Sequence, residues 1–157
     1  MPNQEQIEKL AKATFWRAVR ESIAGVFVLI ASAYFLQFAS VGSAKYYGFL
    51  LNIVSIGFIL GVVWAFTINR RIVDRHSAAD SLFWREAYET QAKLLRLVPL
   101  WYAAPLTTAT LLVIAPDSAN EFVVFHLQLA IAGIVFGGVI YLNKLAADKL
   151  EAEAEQL

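Results

Sequence analysis

The chain has 157 residues, 59% hydrophobic and 17% charged, where soluble domains run at roughly 45–50% (a count with Gly but without Tyr) and about 25%. At the size of a single domain and a mean hydropathy of +0.56, it has more apolar surface than a soluble core can bury. With 13 basic and 13 acidic residues and no cysteine, the chain offers no whole-molecule electrostatic case for nucleic acid, and disulfides, thiolate metal sites and cysteine nucleophiles are excluded.

Residues 1–21 are polar. Asn3 with Gln6 three positions on resembles a capping box, and Ile7, Leu10, Ala11, Thr14 and Ala18 recur on one helical face. Lys9, Lys12, Arg17 and Arg20 make this arm basic. It reads as a solvated helix leading into a first span at Ser22–Phe38, at the short end of the usual range of about 17–25 residues. The small residues near Ala39–Ala44 match a signal-peptidase site only loosely, so the span is expected to be retained.

A short loop then leads to Tyr46–Ile68, the clearest span. Tyr46, Tyr47 and Trp64 lie near its ends, where rings with a polar tip favour the membrane interface. Asn52 and Ser55 are its only strongly polar interior groups. Gly57 and Gly61 form a G-x-x-x-G, a pattern that lets a second helix approach closely. Packing within the bundle is the favoured use, with dimerisation the alternative.

Asn69–Asp80 is expected to be a short charged connection. The stretch Ser81–Pro105 carries the chain from water into lipid. At about 100° per residue, Phe83, Ala87, Leu94 and Val98 share one side, extended by Trp84, Tyr88 and Leu95. Arg85, Glu86, Glu89, Lys93 and Arg96 lie opposite. Such a helix lies on the membrane, packs on its own protein or docks a partner. Its mixed charge weakens simple binding to anionic lipid. Phe83, Trp84, Arg85, Tyr88, Glu89 and Leu94 are the candidate interaction residues.

The third span, Leu97–Ala115, holds Pro99 and Pro105. Each removes an amide donor and clashes with the preceding turn, which predicts a kink. Hydroxyls of Thr107, Thr108 and Thr110 are available to satisfy freed backbone groups. Pro116–Glu121 is a turn signal. The fourth span, Phe122–Leu142, carries His126 and Gln128 near its outer end and a second G-x-x-x-G at Gly133 and Gly137. The tail continues as a Glu/Ala-rich helix with Lys144–Asp148 and Lys149–Glu153 at i,i+4 spacing.

Orientation follows from the basic residues. Four lie in the N-terminal arm, six between the second and third spans (Arg70, Arg71, Arg75, Arg85, Lys93, Arg96) and two in the tail. Only Lys45 lies in the remaining loops. The positive-inside rule then places both termini and the central segment in the cytoplasm. The expected architecture is all-α: one membrane domain over residues 1–157, an integral four-helix bundle with a cytosolic amphipathic helix before the third span.

The chemistry-bearing signals are few. The spans hold no Asp, Glu, Lys or Arg, and within them only His126 is positioned to titrate. An interhelical hydrogen bond is its favoured reading over a ligand or proton site. His76 lies in a loop with no acid or nucleophile at a known spacing, and two distant histidines do not make a zinc site. P-loop, nucleophile-elbow and zincin motifs are missing. Phe-Trp-Arg-x-x-x-Glu occurs at 15–21 and at 83–89, but at different distances from the following span, which does not amount to a duplication.

Arg20-Glu21-Ser22-Ile23-Ala24-Gly25 resembles an R-E-x-x-A-G signature. Arg85-Glu86, Gln91, Leu94-Leu95, Trp101-Tyr102 and Pro105 resemble R-E-x(4)-Q-x(2)-L-L-x(5)-W-Y-x(2)-P. Together, over residues 15–115, the chain is similar to a group of small, uncharacterised proteobacterial membrane proteins often encoded beside extracytoplasmic-function sigma factors. It departs from them after Pro105, where Leu106-Thr107-Thr108 replaces a Gly-containing continuation, and it lacks their Leu-Trp-Gln-type start. The resemblance supplies no established activity and implies only a lean toward regulation.

These observations lead to a non-enzymatic inner-membrane protein without a cofactor. It is expected to act through its N-terminal arm and the helix before the third span, with the bilayer and a protein as partners and no nucleic acid. Oligomerisation is open. The alternative is a small permease or ligand-binding channel component built on Asn52, His126 and Gln128. A membrane enzyme is disfavoured because acid–base groups are missing from the spans.

Overall fold

Where backbone amides have no water to bond, a chain this apolar folds as helix. The computed structural model describes residues 4–76, 80–116, 118 and 121–156, with the backbone alone at Arg70. All regular structure among them is helical. Asn3 of the expected capping box lies outside the described residues, as do Ser77–Ala79 of the central connection and Asp117, Ala119 and Asn120 of the expected outer turn.

The basic arm and the first span are one helix, α1 (Gln4–Leu36). At 1.5 Å per residue it is about 50 Å long, well beyond a hydrocarbon core of about 30 Å, so its first turns stand outside. The second span is α2 (Ala44–Ala65), started by Ser43, whose side chain accepts from the Tyr46 amide. It starts two residues earlier and ends three residues earlier than the expected Tyr46–Ile68. Phe66–Asn69 leave the helix, and the Thr67 hydroxyl turns back to donate to the Val63 carbonyl at 2.8 Å. Asn69 caps a short helix, α3 (Arg70–Arg75), by accepting from the Ile72 amide. Part of the expected charged connection is therefore helical.

The amphipathic segment is α4 (Ser81–Arg96), capped by Asp80. A π-helical turn at Pro99–Ala103 separates it from α5 (Ala104–Ile114), and the two helices meet at a 44° bend. The expected kink is present, and Pro99 explains it by lacking the donor that an α-helix needs there. The wider turn is closed by the Ala104 amide bonding to the Pro99 carbonyl. The Trp101 indole donates to the Leu94 carbonyl at 2.9 Å, supplying a donor at the break. The Thr108 hydroxyl bonds its own helix at the Ala104 carbonyl instead. The fourth span and the tail form one continuous helix, α6 (Phe122–Glu155).

α1, α2 and α6 are each long and apolar enough to cross a membrane, and the bent α4–α5 pair makes a fourth crossing if it counts as one span. The chain is accordingly a membrane protein with three to four candidate spans.

Helix α2 packs between α1 and α5. It does so through glycines other than those the G-x-x-x-G patterns single out. A Cβ on Gly25 would sit 3.1 Å from Ile56, and one on Gly48 would meet both the side chain and the backbone nitrogen of Val113 at 2.8 Å. Gly57, Gly61, Gly133 and Gly137 face open space, where an added Cβ meets nothing within 4 Å among the described residues. The expectation that these four pack the bundle is corrected. The usable signal was a seven-residue repeat of small residues: Ala18, Gly25 and Ser32 on α1, and Gly48 and Ser55 on α2, are all buried. That period keeps one seam facing a neighbour at a shallow crossing angle.

The polar segments share a core of their own. Ile7 and Leu10 of α1, Ile68, Trp84 and Tyr88 of α4, and Ala154 of α6 form one buried cluster, flanked by Ile72 and Val73 of α3. Ala92 and Leu95 continue it against Ala147. Polar bonds tie it together. The Ile68 amide donates to the Thr14 hydroxyl at 3.3 Å, the Gln91 amide to the Phe66 carbonyl at the end of α2, and the Tyr88 hydroxyl to the Gln6 carbonyl at 3.3 Å. Arg96 bridges Asp148, at 2.9 Å, and Glu151. The result is a charged helical head at one end of the apolar helices.

Candidate binding groove

The head absorbs much of the surface the sequence offered to a partner. Trp84 is 0% exposed and Tyr88 is also buried. Phe83 packs against the same cluster, its ring stacked on His76 at 3.6 Å, and Leu94 is half-buried. Arg85 stays exposed and pairs with Glu89 at 3.1 Å. Of the three uses open to an amphipathic helix, internal packing takes this face. The buried stripe runs through Trp84, Tyr88, Gln91 and Leu95, one position round from the expected Phe83–Ala87–Leu94 line, and Gln91 within it bonds the Phe66 carbonyl at the end of α2.

The intramembrane polar groups are not brought together. Asn52 lies in a shallow hollow with Phe27, Ser32 and Val113, between α1, α2 and α5. His126 and Gln128 are exposed on α6, and His126 Nδ1 lies 2.7 Å from the Phe122 carbonyl of its own helix. No group of three or more His, Cys, Asp or Glu able to hold a metal occurs among the described residues.

A different site does form. α6 contacts α4 and leans lightly on α5, and its most apolar 18-residue window is 0% buried. α1 and α6 therefore flank an open groove of about 780 Å³, floored by Tyr88, Gln91, Leu95 and Tyr102, within the usual size of ligand sites, about 300–1,000 Å³. Lys9, Arg17, Arg20 and Lys149 line it, against the carboxylates of Glu21 and Glu153. At its upper end are Ala24 and Leu142, where the apolar parts of α1 and α6 begin.

The electrostatics are those of a partly dry basic site. Burial pulls the Arg17 guanidinium below its ordinary pKa, Glu21 counters this, and nearby Arg20 adds to the lowering. Glu21 is also held by the Tyr102 hydroxyl, which donates to its Oε2 at 3.0 Å. On the floor, burial pushes the Tyr88 phenol up, and the Glu153 charge adds to the shift.

Six residues of the two motif runs quoted above meet here: Arg20, Glu21 and Ala24 from the first, and Gln91, Leu95 and Tyr102 from the second. Periodicity did not reveal this convergence, because the groove exists only once α1 and α6 are set apart on α4. Arg17 and Lys9 were legible only as part of a basic arm. Compared with known protein families, curated proteins and solved structures, the chain matches none.

Proposed function

We propose that this chain is a non-enzymatic protein of the inner membrane, a four-helix bundle with both termini in the cytoplasm, that acts in regulation by protein contacts made through its charged head. Twelve of thirteen basic residues lie in the head segments by sequence, which supports the orientation by the positive-inside rule. The observation that carries the reading is the common core around Trp84, which joins the ends of α1, α4 and α6 into one body. A body with its own core presents a fixed surface, as contact-based regulation requires.

The surface left for contact is the outer arc of α4, not its Trp84–Tyr88 side. Leu82, at 70% exposed, lies there with Arg85 and Glu86. The test is site-specific photocrosslinking in cells. A photoreactive residue at Leu82 or Glu86 should capture one discrete protein, and the same probe at Val54, on the apolar part of α2, should not. Capture of lipid alone at all three positions would sink the contact role. Because the chain has no cysteine, single cysteines at Thr90 and Val41 read the orientation directly. Thr90→Cys should label only after the membrane is permeabilised, and Val41→Cys in intact spheroplasts.

A further inference from the structure

We propose that the groove between α1 and α6 is a site for an anionic phospholipid of the leaflet at the charged end, its headgroup among Arg17, Arg20 and Lys149 and its acyl chain rising between the two helices past Ala24 and Leu142.

Three observations carry the assignment. The first is charge: four cations face two carboxylates in the groove, and one of those, Glu21, is already engaged by Tyr102. An anion is the complementary ligand, and arginine suits phosphate because its planar fork of donors matches the phosphate oxygens. The second is depth. Arg20 precedes the apolar stretch of α1 by two residues and Arg17 by five, or roughly 3 and 8 Å along the helix. That is headgroup level, where the phosphates of the leaflet lie.

The third is the polarity gradient. The groove changes from charged at Lys9 and Lys149 to apolar at Ala24 and Leu142, and the most apolar window of each flanking helix is almost unburied, 6% for α1 and 0% for α6. A free anion would fill only the lower half. An amphiphile matches both ends. Burial of the Arg17 guanidinium works in the same direction, since a phosphate beside it replaces part of the lost hydration.

The site is independent of the protein-contact role, so its failure leaves that role standing. The test uses the full chain in a neutral detergent, with bound lipid counted by native mass spectrometry after adding phosphatidylglycerol, phosphatidylcholine or sodium phosphate. Phosphatidylglycerol should be retained in preference to phosphatidylcholine, and sodium phosphate should not displace it. The double variant R17Q/R20Q should lose roughly thirtyfold in phosphatidylglycerol affinity, from about one surface-charge increment per arginine. The control K12Q/K93Q, which removes the same charge from outside the groove, should not.

Ala24→Trp keeps every charge and fills the upper end, and it too should lose the lipid. It decides the matter if the double arginine variant does not fold. Equal retention of phosphatidylcholine, equal loss in the control, displacement by phosphate alone, or full retention by Ala24→Trp would each overturn the proposal.

Discussion

The Tyr102 hydroxyl donates to Glu21 Oε2 at 3.0 Å, joining residues 81 positions apart. Glu21 ends the basic arm just before the apolar part of α1, and Tyr102 lies in the π-helical turn between α4 and α5. The bond therefore sets the bent segment against α1 at the edge of the apolar layer. Tyr102→Phe should lower stability by about 1.5–3 kcal/mol, the range for a bond to a charged acceptor. Unfolding in mixed micelles measures it. In a double-mutant cycle with Glu21→Gln the losses should fall short of additive, and strict additivity would show that the two residues do not act as a pair.

Trp84 is the largest of the fully buried side chains. Trp84→Ala should cost about 3–5 kcal/mol and open the head while the membrane helices persist. Limited proteolysis should then cut within α4 or the tail, with far-ultraviolet circular dichroism little changed. Leu82→Ala, on the outer arc of the same helix, should leave proteolysis as in the wild type, since exposed positions usually shift stability within about 0.5 kcal/mol.

The glycines divide into two groups with opposite expected behaviour. Gly48→Ala forces a Cβ to 2.8 Å from the Val113 backbone nitrogen, and the helices must separate to admit it. A loss of about 1–3 kcal/mol is expected, as for other overpacked contacts. Gly61→Ala meets nothing and should be neutral or stabilising by up to about 1 kcal/mol, the helix-propensity difference. Thermal melts in detergent distinguish the pair, and equal losses would contradict the placement of α2.

The Tyr88 phenol gives a pH signature. Its folded pKa lies above the ordinary 10.0, so the folded state holds this proton more tightly than the unfolded chain does. The resulting stability is fully present below pH 10.0 and is lost as pH rises through the folded value. Tyr88→Phe should be less stable at neutral pH, by about 0.5–1.5 kcal/mol for the lost bond to Gln6. The two melting curves should then converge on the alkaline side. A constant gap up to alkaline unfolding would show that the phenol is not shifted.

Much of this molecule is legible along the chain because lipid imposes a one-dimensional rule. A segment of sufficient apolar length becomes a helix wherever it sits, so helices over most of the expected spans Ser22–Phe38, Tyr46–Ile68 and Phe122–Leu142 follow from residue order, with ends that differ by a few residues. The bend after α4 follows from Pro99 in the same way. The amphipathic character of α4 was also readable, but not which of its apolar residues would be central. Phe83 and Leu94 lie about 20° apart on the helical wheel and Trp84 about 100° from Phe83, all within one broad side. Within the Trp84 stripe Gln91 bonds the Phe66 carbonyl, a partner 25 positions away that the helical wheel does not show.

The sequence by itself determined an all-helical membrane protein, its apolar helices and the concentration of basic charge in the segments that flank them. Only the tertiary structure decided that these segments close around Trp84, that Gly25 and Gly48 rather than the G-x-x-x-G glycines make the close helix contacts, and that α1 and α6 part to leave a basic groove. Apolar length and charge are properties of a segment and survive in any arrangement. A core, a close approach and a groove belong to pairs of segments, and exist only once the distance between their helices is set.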